Sequence, residues 1–239
     1  MGKVKKIAVY CGTQSVYDSI RDSAWSLAAN SSVDKIICCV EDDSLDNMPH
    51  QCDFVNASNQ QYFTSDCVNY ISRWSYMTLL RTALPLMFPD IDKVLYLDVD
   101  TIIVQNIDEL WDIDLSDYYL AAVPEPLKTK VYGQYVNAGV MMLNLKKLRE
   151  DGTAQKIIDL MYAQKMDFPD QDAINKICKW RMYELHTDYN VTRWTGRAIN
   201  PKIKHWAGYT DWTSRQSWKD AAIYTPKCTE LNVGKDSAN

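Results

Sequence analysis

Short runs of apolar residues alternate with amphipathic stretches along this chain, and that alternation is its tightest constraint on fold. "KIAVYC" (6–11), "KIICCV" (35–40), "KVLYLDVD" (93–100), "YYLAAV" (118–123) and "YVNAGVMMLNL" (135–145) read as strands. Between them, 17–29 places Ile20, Ala24, Leu27 and Ala28 on one helical side, and 66–84 reads as a long helix closed by Pro85 and Pro89. A turn of helix falls around "IDELW", and further helices are expected over 146–165 and about 170–179. Strands that are apolar on both faces need cover on both, which indicates an α/β domain with a mostly parallel sheet flanked by helices. A length of 239 residues fits a single domain, spanning 1–239, with an irregular section beyond Trp180.

Composition excludes several classes. A net charge of -5 argues against a nucleic-acid binder. No basic leader with a long apolar run opens the sequence and no stretch is long enough to span a membrane, so a cytoplasmic protein is expected. The seven cysteines are odd in number and lack CxxC spacing, which fits reduced thiols better than a disulfide framework or a zinc site. Sequons begin at Asn30, Asn56 and Asn190 and read as chance.

The chemistry concentrates where "KVLYL" runs into Asp98 and Asp100. Side chains alternate along a strand, so both carboxylates are expected on one side with Val99 on the other. In open α/β sheets the ligand crevice lies at the carboxyl ends of the strands. Two like charges so close need a cation or donors, and an oxygen-seeking divalent ion is the natural partner. Two other readings compete: acids that merely solvate a strand end, and a phosphatase of the haloacid-dehalogenase type with Asp98 as nucleophile and Asp100 as general acid. Against the phosphatase, two probable strands precede the pair, and no later strand ends in paired acids.

"DKVLYLDVDTIIVQNIDELWDIDL" (92–115), "YVNAGVMMLNLKKLRE" (135–150), "PDQDAINKI" (169–177) and "HWAG" (205–208) occur in this order, and together they resemble glycosyltransferase family 8. The resemblance implies a GT-A (Rossmann-like) fold, a nucleotide-diphosphate-sugar donor, most simply a UDP-sugar, bound Mn²⁺ (or Mg²⁺), and transfer with retention at the anomeric carbon. It implies a nucleotide and metal half over about 1–125 and a sugar and acceptor half over about 126–239. Asp98 and Asp100 match the family's metal-binding pair, and His205 matches the third metal ligand. Val99 would lie near the nucleoside, and Gly208 would admit the diphosphate. Arg81 is expected to reach the donor, and Asn137 with Ala138 to flank the sugar. Asp170 and Gln171 fall beside the anomeric carbon, Gln171 stabilising positive charge through its amide oxygen and Asp170 orienting hydroxyls. The local alternative for Asp170 is a helix cap.

The chain also departs from the pattern. Where the family motif continues from its histidine to a lysine, this sequence has Asp211, whose charge would repel a diphosphate. Lys202, Lys204 and Arg215 are the nearby substitutes. In "CGTQSVY" (11–17) the segment Cys11, Gly12, Thr13 is the expected nucleoside edge, with Tyr17 as a ribose or base contact. Trp194, Trp206, Trp212 and Trp218 suit stacking on an acceptor sugar or burial in the core, with at least half expected in the core. Interleaved with Lys202, Lys204, Arg215 and Lys219, they also allow weak contact with a membrane surface. Glycan, glycoprotein and glycolipid acceptors are all compatible with the sequence. So is a non-catalytic nucleotide-sugar binder, which Asp211 keeps open.

Overall fold

The computed structural model describes residues 5–223. The chain opens with β1 (Ile7–Cys11), α1 (Tyr17–Asn30), β2 (Lys35–Val40) and β3 (Cys52–Asn56). A 3-10 segment (Tyr76–Thr82) and α2 (Leu84–Met87) lead into β4 (Lys93–Leu97) and β5 (Thr101–Ile103). Then come β6 (Leu120–Pro124), α3 (Pro126–Tyr132), β7 (Val136–Asn144), α4 (Leu145–Glu150), α5 (Thr153–Ala163) and α6 (Pro169–Ile177). β8 (Met182–Glu184), β9 (Ile203–His205) and α7 (Gln216–Ala221) complete the described elements.

The seven-stranded sheet has the order β3-β2-β1-β4-β7-β6-β8, and every neighbouring pair is parallel except the two made by β7. Alternate residues of each strand serve opposite cores. Val9, Val94 and Tyr96 pack on one face with residues of α4, α5 and α6, while Ala8, Tyr10, Leu95 and Leu97 pack on the other with Ile20, Ala24 and Leu27 of α1. The expected α/β sheet covered on both faces is therefore present. Because β7 runs against its neighbours, its first residues lie at the carboxyl ends of β4 and β6. The segment after residue 125 thus enters the middle of the sheet.

A second sheet pairs β5 with β9, Thr101 opposite His205 and Ile103 opposite Ile203. The other edge of β5 is served by side chains of α1. Ser26 Oγ accepts from Ile103 N at 3.0 Å, and Asn30 Nδ2 donates to Ile103 O at 3.0 Å. Ser23 Oγ lies 3.1 Å from Thr101 Oγ1. A polar stripe on α1 stands in for the missing strand and holds β5 in place.

Several local expectations are corrected. Residues 66–84 do not form one long helix: 66–75 is a run of turns, followed by the 3-10 segment and the four-residue α2. Thr78 and Thr82 donate their hydroxyls to the carbonyls of Ser75 and Leu79, three residues back, which favours the tighter winding. The helix expected over 146–165 breaks into α4 and α5 at Gly152, whose φ of 63° suits glycine. β3 is a strand that the sequence does not announce, because its exposed Asp53 and Asn56 mask the pattern. β5, β8 and β9 have three residues each and carry no periodicity to detect. The six described cysteines are free thiols, and Cys228 lies outside the described residues. Among the described residues no helix is long and apolar enough to cross a membrane.

Replacing Ser26 by Ala leaves Ile103 N–H buried without its partner, so stability should fall by about 1–3 kcal/mol. The midpoint of urea unfolding, at unchanged m-value, measures it.

Candidate functional site

β4 ends at Leu97, so Asp98 and Asp100 lie in the turn beyond it rather than in the strand. The pairing with β7 continues for one more bond, Asp98 N donating to Gly139 O at 2.7 Å. Thr101 Oγ1 donates back to Asp98 O at 2.7 Å and closes the turn. His205 arrives from more than a hundred residues away because β9 pairs with β5, and Trp206 N donates to Asp100 O at 2.9 Å. As a result one ligand atom each of Asp98, Asp100 and His205 lie within 4.8 Å of one another. Asp100 Oδ1 is 3.1 Å and Asp98 Oδ2 3.8 Å from His205 Nε2.

The other ring nitrogen fixes the orientation of His205. Its Nδ1 is 2.8 Å from Asn190 Oδ1, an atom that can only accept, so Nδ1 carries a proton and Nε2 is the nitrogen turned to the carboxylates, free to hold a proton or, in its place, a cation. Burial opposes a charge on this imidazole, but Asp100 and Asp98 outweigh it and raise its pKa. Asn190 was visible in the sequence only as a sequon. It is completely buried, holds His205 and offers no room for a glycan.

Arg81, 5% exposed, comes from the 3-10 segment and stands behind the pair. Its NH2 lies 2.7 Å from Asp98 Oδ1, its NH1 donates to Ala138 O at 2.8 Å, and its Nε is 3.0 Å from Asp170 Oδ2. The guanidinium stacks 4.6 Å from the centre of the Tyr96 ring, and Tyr96 OH donates to Asp98 Oδ1 at 2.9 Å. Burial works against the charge on Arg81, and Asp170 and Asp98 together hold it protonated. The guanidinium fork grips Asp98 and Asp170. Asp98 Oδ1 thus takes two donors, while Oδ2 faces His205 and receives a longer 3.3 Å contact from Arg81 NH1. Burial pushes the Asp170 carboxyl up, and Arg81 offsets only part of this. Asp170 does not cap α6 through its side chain: the helix starts at Pro169, with Phe168 in the cap position.

Asn137, Ala138 and Gln171 form one network with Glu125, which the sequence did not single out. Asn137 Nδ2 donates to Glu125 Oε1 at 2.8 Å, and Asn137 Oδ1 accepts from Asn190 Nδ2 at 2.8 Å. Gln171 Oε1 accepts from Ala138 N at 3.0 Å and from Asn137 Nδ2 at 3.3 Å. One turn along α6, Asn175 exchanges hydrogen bonds with both backbone groups of Val136. These i, i+4 amides dock α6 against the start of β7.

At the end of β1 the Cys11 side chain is buried beside Cys39, leaving backbone there for any ligand. A Cβ on Gly12 would meet Val16 Cγ2 at 2.7 Å and Val99 Cγ1 at 3.3 Å, so the ends of β1 and β4 touch across this glycine. Thr13 Oγ1 is 3.1 Å from Ser15 Oγ, and Tyr17 OH accepts from Glu41 N at 2.9 Å, tying the loop to the end of β2. Gly208 has φ 75°, and its carbonyl accepts from Arg193 NH2 at 3.2 Å. Asp211 is paired with Arg215, whose NH2 lies 2.9 Å away, and Lys202 is paired with Glu109. Trp206 and Trp218 are buried edge-to-face with ring centres 5.0 Å apart, Trp212 is half-buried and Trp194 exposed. Two of the basic residues named with these tryptophans are thus paired and two of the rings lie inside, while Trp194, Lys204 and Lys219 stay exposed.

The donor set fits a divalent cation: two carboxylates and an imidazole whose free nitrogen faces them, with space kept by Gly139. A Cβ on Gly139 would collide with His205 Cε1 and lie 2.6 Å from Asp98 Oδ2. Gly139→Ala should therefore abolish Mn²⁺ binding, read by electron paramagnetic resonance, while the far-UV circular dichroism stays native. Asn190→Ala should weaken Mn²⁺ binding about 10–100-fold, since the imidazole loses the partner that sets its tautomer.

The sequence model of glycosyl transferase family 8 matches residues 15–212. Among curated proteins, a putative glycosyltransferase of Haemophilus influenzae is 35% identical over 138 residues, 52% of this chain and 41% of its own length. Glycosyltransferase GlyA of Streptococcus pneumoniae is 33% identical over 163 residues, 65% of this chain and 23% of its own length. The chain thus spans less than half of either relative. General stress protein A of Bacillus subtilis is 27% identical over 222 residues, 78% of this chain and 77% of that protein. Among solved structures, the galactosyltransferase LgtC in complex with donor and acceptor sugar analogs superposes with a TM-score of 0.73 at 21% identity, covering 92% of this chain and 96% of that one. GlyE of S. pneumoniae gives 0.69 at 24% identity, covering 92% and 61%. With most of its length matched by the family model and its sheet shared with these GT-A structures, the chain belongs to glycosyl transferase family 8.

Proposed function

We propose that this chain transfers a sugar from a nucleotide-diphosphate sugar, with UDP as the nucleotide, to a hydroxyl of a glycan, glycoprotein or glycolipid, retaining the anomeric configuration. The observation that carries this reading is the convergence of Asp98, Asp100 and His205 over the space left by Gly139, at the carboxyl edge between β1 and β4. A Mn²⁺ or Mg²⁺ ion bound there supplies positive charge to the diphosphate as it departs. Galactosyltransferase LgtC, which shares the fold, was solved with donor and acceptor sugar analogs.

In this reading Gly12, Thr13, Tyr17 and Val99 line the nucleoside end, and Gly208 lets the backbone approach the diphosphate. Asn137 and Ala138 flank the sugar. The bond from the anomeric carbon to the diphosphate oxygen breaks with its electron pair on that oxygen. The acceptor oxygen forms the new bond on the same face, and its proton passes to the departing diphosphate. Gln171 serves chiefly by position: its amide oxygen accepts from Ala138 N and Asn137 Nδ2, which aligns both residues beside the sugar. Asp170, held by Arg81, accepts from the sugar hydroxyls.

Thermal unfolding with UDP, GDP and CDP, each with Mn²⁺ and with chelator, tests the donor site without an acceptor. UDP at about a hundred times its Kd should add roughly 2.7 kcal/mol of stability in the presence of Mn²⁺. Asp100→Asn should remove that gain. Absence of any nucleotide effect on the wild-type protein overturns the reading. Binding without sugar transfer to any glycan acceptor would leave a nucleotide-sugar binder.

A further inference from the structure

A nucleoside diphosphate brings negative charge into a site already rich in carboxylates, and the available cations can be traced individually. Arg81 is held by Asp98 and Asp170. Lys202 is paired with Glu109 and Arg215 with Asp211, and Lys204 is exposed on the face of β9 opposite Ile203 and His205. Arg193 differs from these. Among the described residues it forms no ion pair with a carboxylate, and its hydrogen bond is the 3.2 Å contact from NH2 to Gly208 O. Its guanidinium is nevertheless held in place, 4.5 Å from the ring centre of Trp194 and 4.8 Å from that of Tyr209. Arg215 stacks on Tyr209 as well, at 4.1 Å, so Trp194, Arg193, Tyr209 and Arg215 form an alternating ladder anchored at Asp211.

This ladder sits at the turn that carries the metal candidate. Trp206 N bonds to Asp100 O, Tyr209 N bonds to Trp206 O, and Gly208 lies between them with φ 75°. A Cβ on Gly208 would come within 2.9 Å of Arg193 NH2. The guanidinium therefore occupies the side of the backbone that the absence of a side chain leaves open. A guanidinium keeps its charge at any physiological pH and binds phosphate oxygens with two parallel hydrogen bonds. Stacking on aromatic faces presents that fork without consuming its donors.

We infer that Arg193 binds the donor diphosphate, supplying the cation that Asp211 does not supply at the position where the resembling family has lysine. The inference rests on the nucleotide-sugar reading above. Trp194, exposed and stacked beneath the guanidinium, is a support for Arg193 rather than a platform for the acceptor.

Titration calorimetry of the wild-type protein, Arg193→Met and Arg193→Lys with UDP and with UMP, each in Mn²⁺, tests it. Mn²⁺ binding alone and the unliganded unfolding temperature serve as controls for a merely structural role. Arg193→Met should weaken UDP binding about 10–100-fold, since charge-assisted hydrogen bonds are lost. UMP and Mn²⁺ binding should change less than threefold, and Arg193→Lys should restore part of the UDP affinity. Equal UDP binding by wild type and Arg193→Met overturns the role of Arg193 and leaves the donor site standing. An equal loss for UDP and UMP also overturns it, because the effect would then come from the loop and not from the second phosphate. A wild-type protein that binds no nucleoside diphosphate with Mn²⁺ overturns the donor reading and this inference together.

Discussion

Three carboxylates, Asp98, Asp100 and Asp170, crowd one end of the sheet, and their mutual repulsion is the constraint around which the site is organised. Arg81 answers it from behind, with one guanidinium between Asp98 and Asp170. His205 faces Asp98 and Asp100 from the front through Nε2, and the two acids raise its pKa and so favour its protonated form. A buried cation facing a buried Asp170 and a partly buried Asp98 is stable only with its remaining donors satisfied. Thr78 O and Ala138 O accept from the same guanidinium, and the Tyr96 ring lies against its face. The 3-10 winding of residues 76–82 thus belongs to the site, since it brings Arg81 under the strand end.

Hydrogen bonds extend this arrangement sideways. From His205 the chain of contacts runs through Asn190 to Asn137, and from Asn137 to Glu125 and Gln171. It joins the metal candidate to the residues proposed to flank the sugar, at the same end of the sheet, through side chains that are all buried. Among the described residues only one buried side-chain polar atom, Gln51 Oε1, lacks a partner, and it lies just before β3, at the opposite end of the strands. A saturated network of this kind favours one geometry, because moving any amide leaves another group unpaired in a medium of low dielectric. The same saturation redefines Gln171. Its amide oxygen has two donors, Ala138 N and Asn137 Nδ2, so it also holds those two residues in place.

The departure at Asp211 takes on a different meaning in three dimensions. Read along the chain, an acid near the diphosphate is a local conflict. In the folded protein Arg215 neutralises it, and the pair anchors a stack of rings that holds Arg193. Charge at this edge is therefore set by a group of residues from two segments, 193–194 and 209–215, rather than by one position.

The class of fold and the three candidate metal ligands were legible along the chain. Apolar strands imply a covered sheet, and Asp98, Asp100, Arg81, Asn137, Asp170, Gln171 and His205 all stand in stretches whose order is legible without coordinates. Such features are local, being set by periodicity and by residue type within a few positions. Whatever depends on distant contacts emerged from the folded chain. Strands of three residues, β5 and β9, carry no pattern of their own, yet their pairing delivers His205 to Asp100. Reversal of β7 within a parallel sheet lays Gly139 beneath the carboxylates, where its missing side chain becomes a requirement. Asn190, Glu125 and Tyr96 have nothing in their neighbouring residues to mark them. Their roles arise from hydrogen bonds to groups far away in the chain, formed because a buried polar atom must find a partner wherever the fold places one.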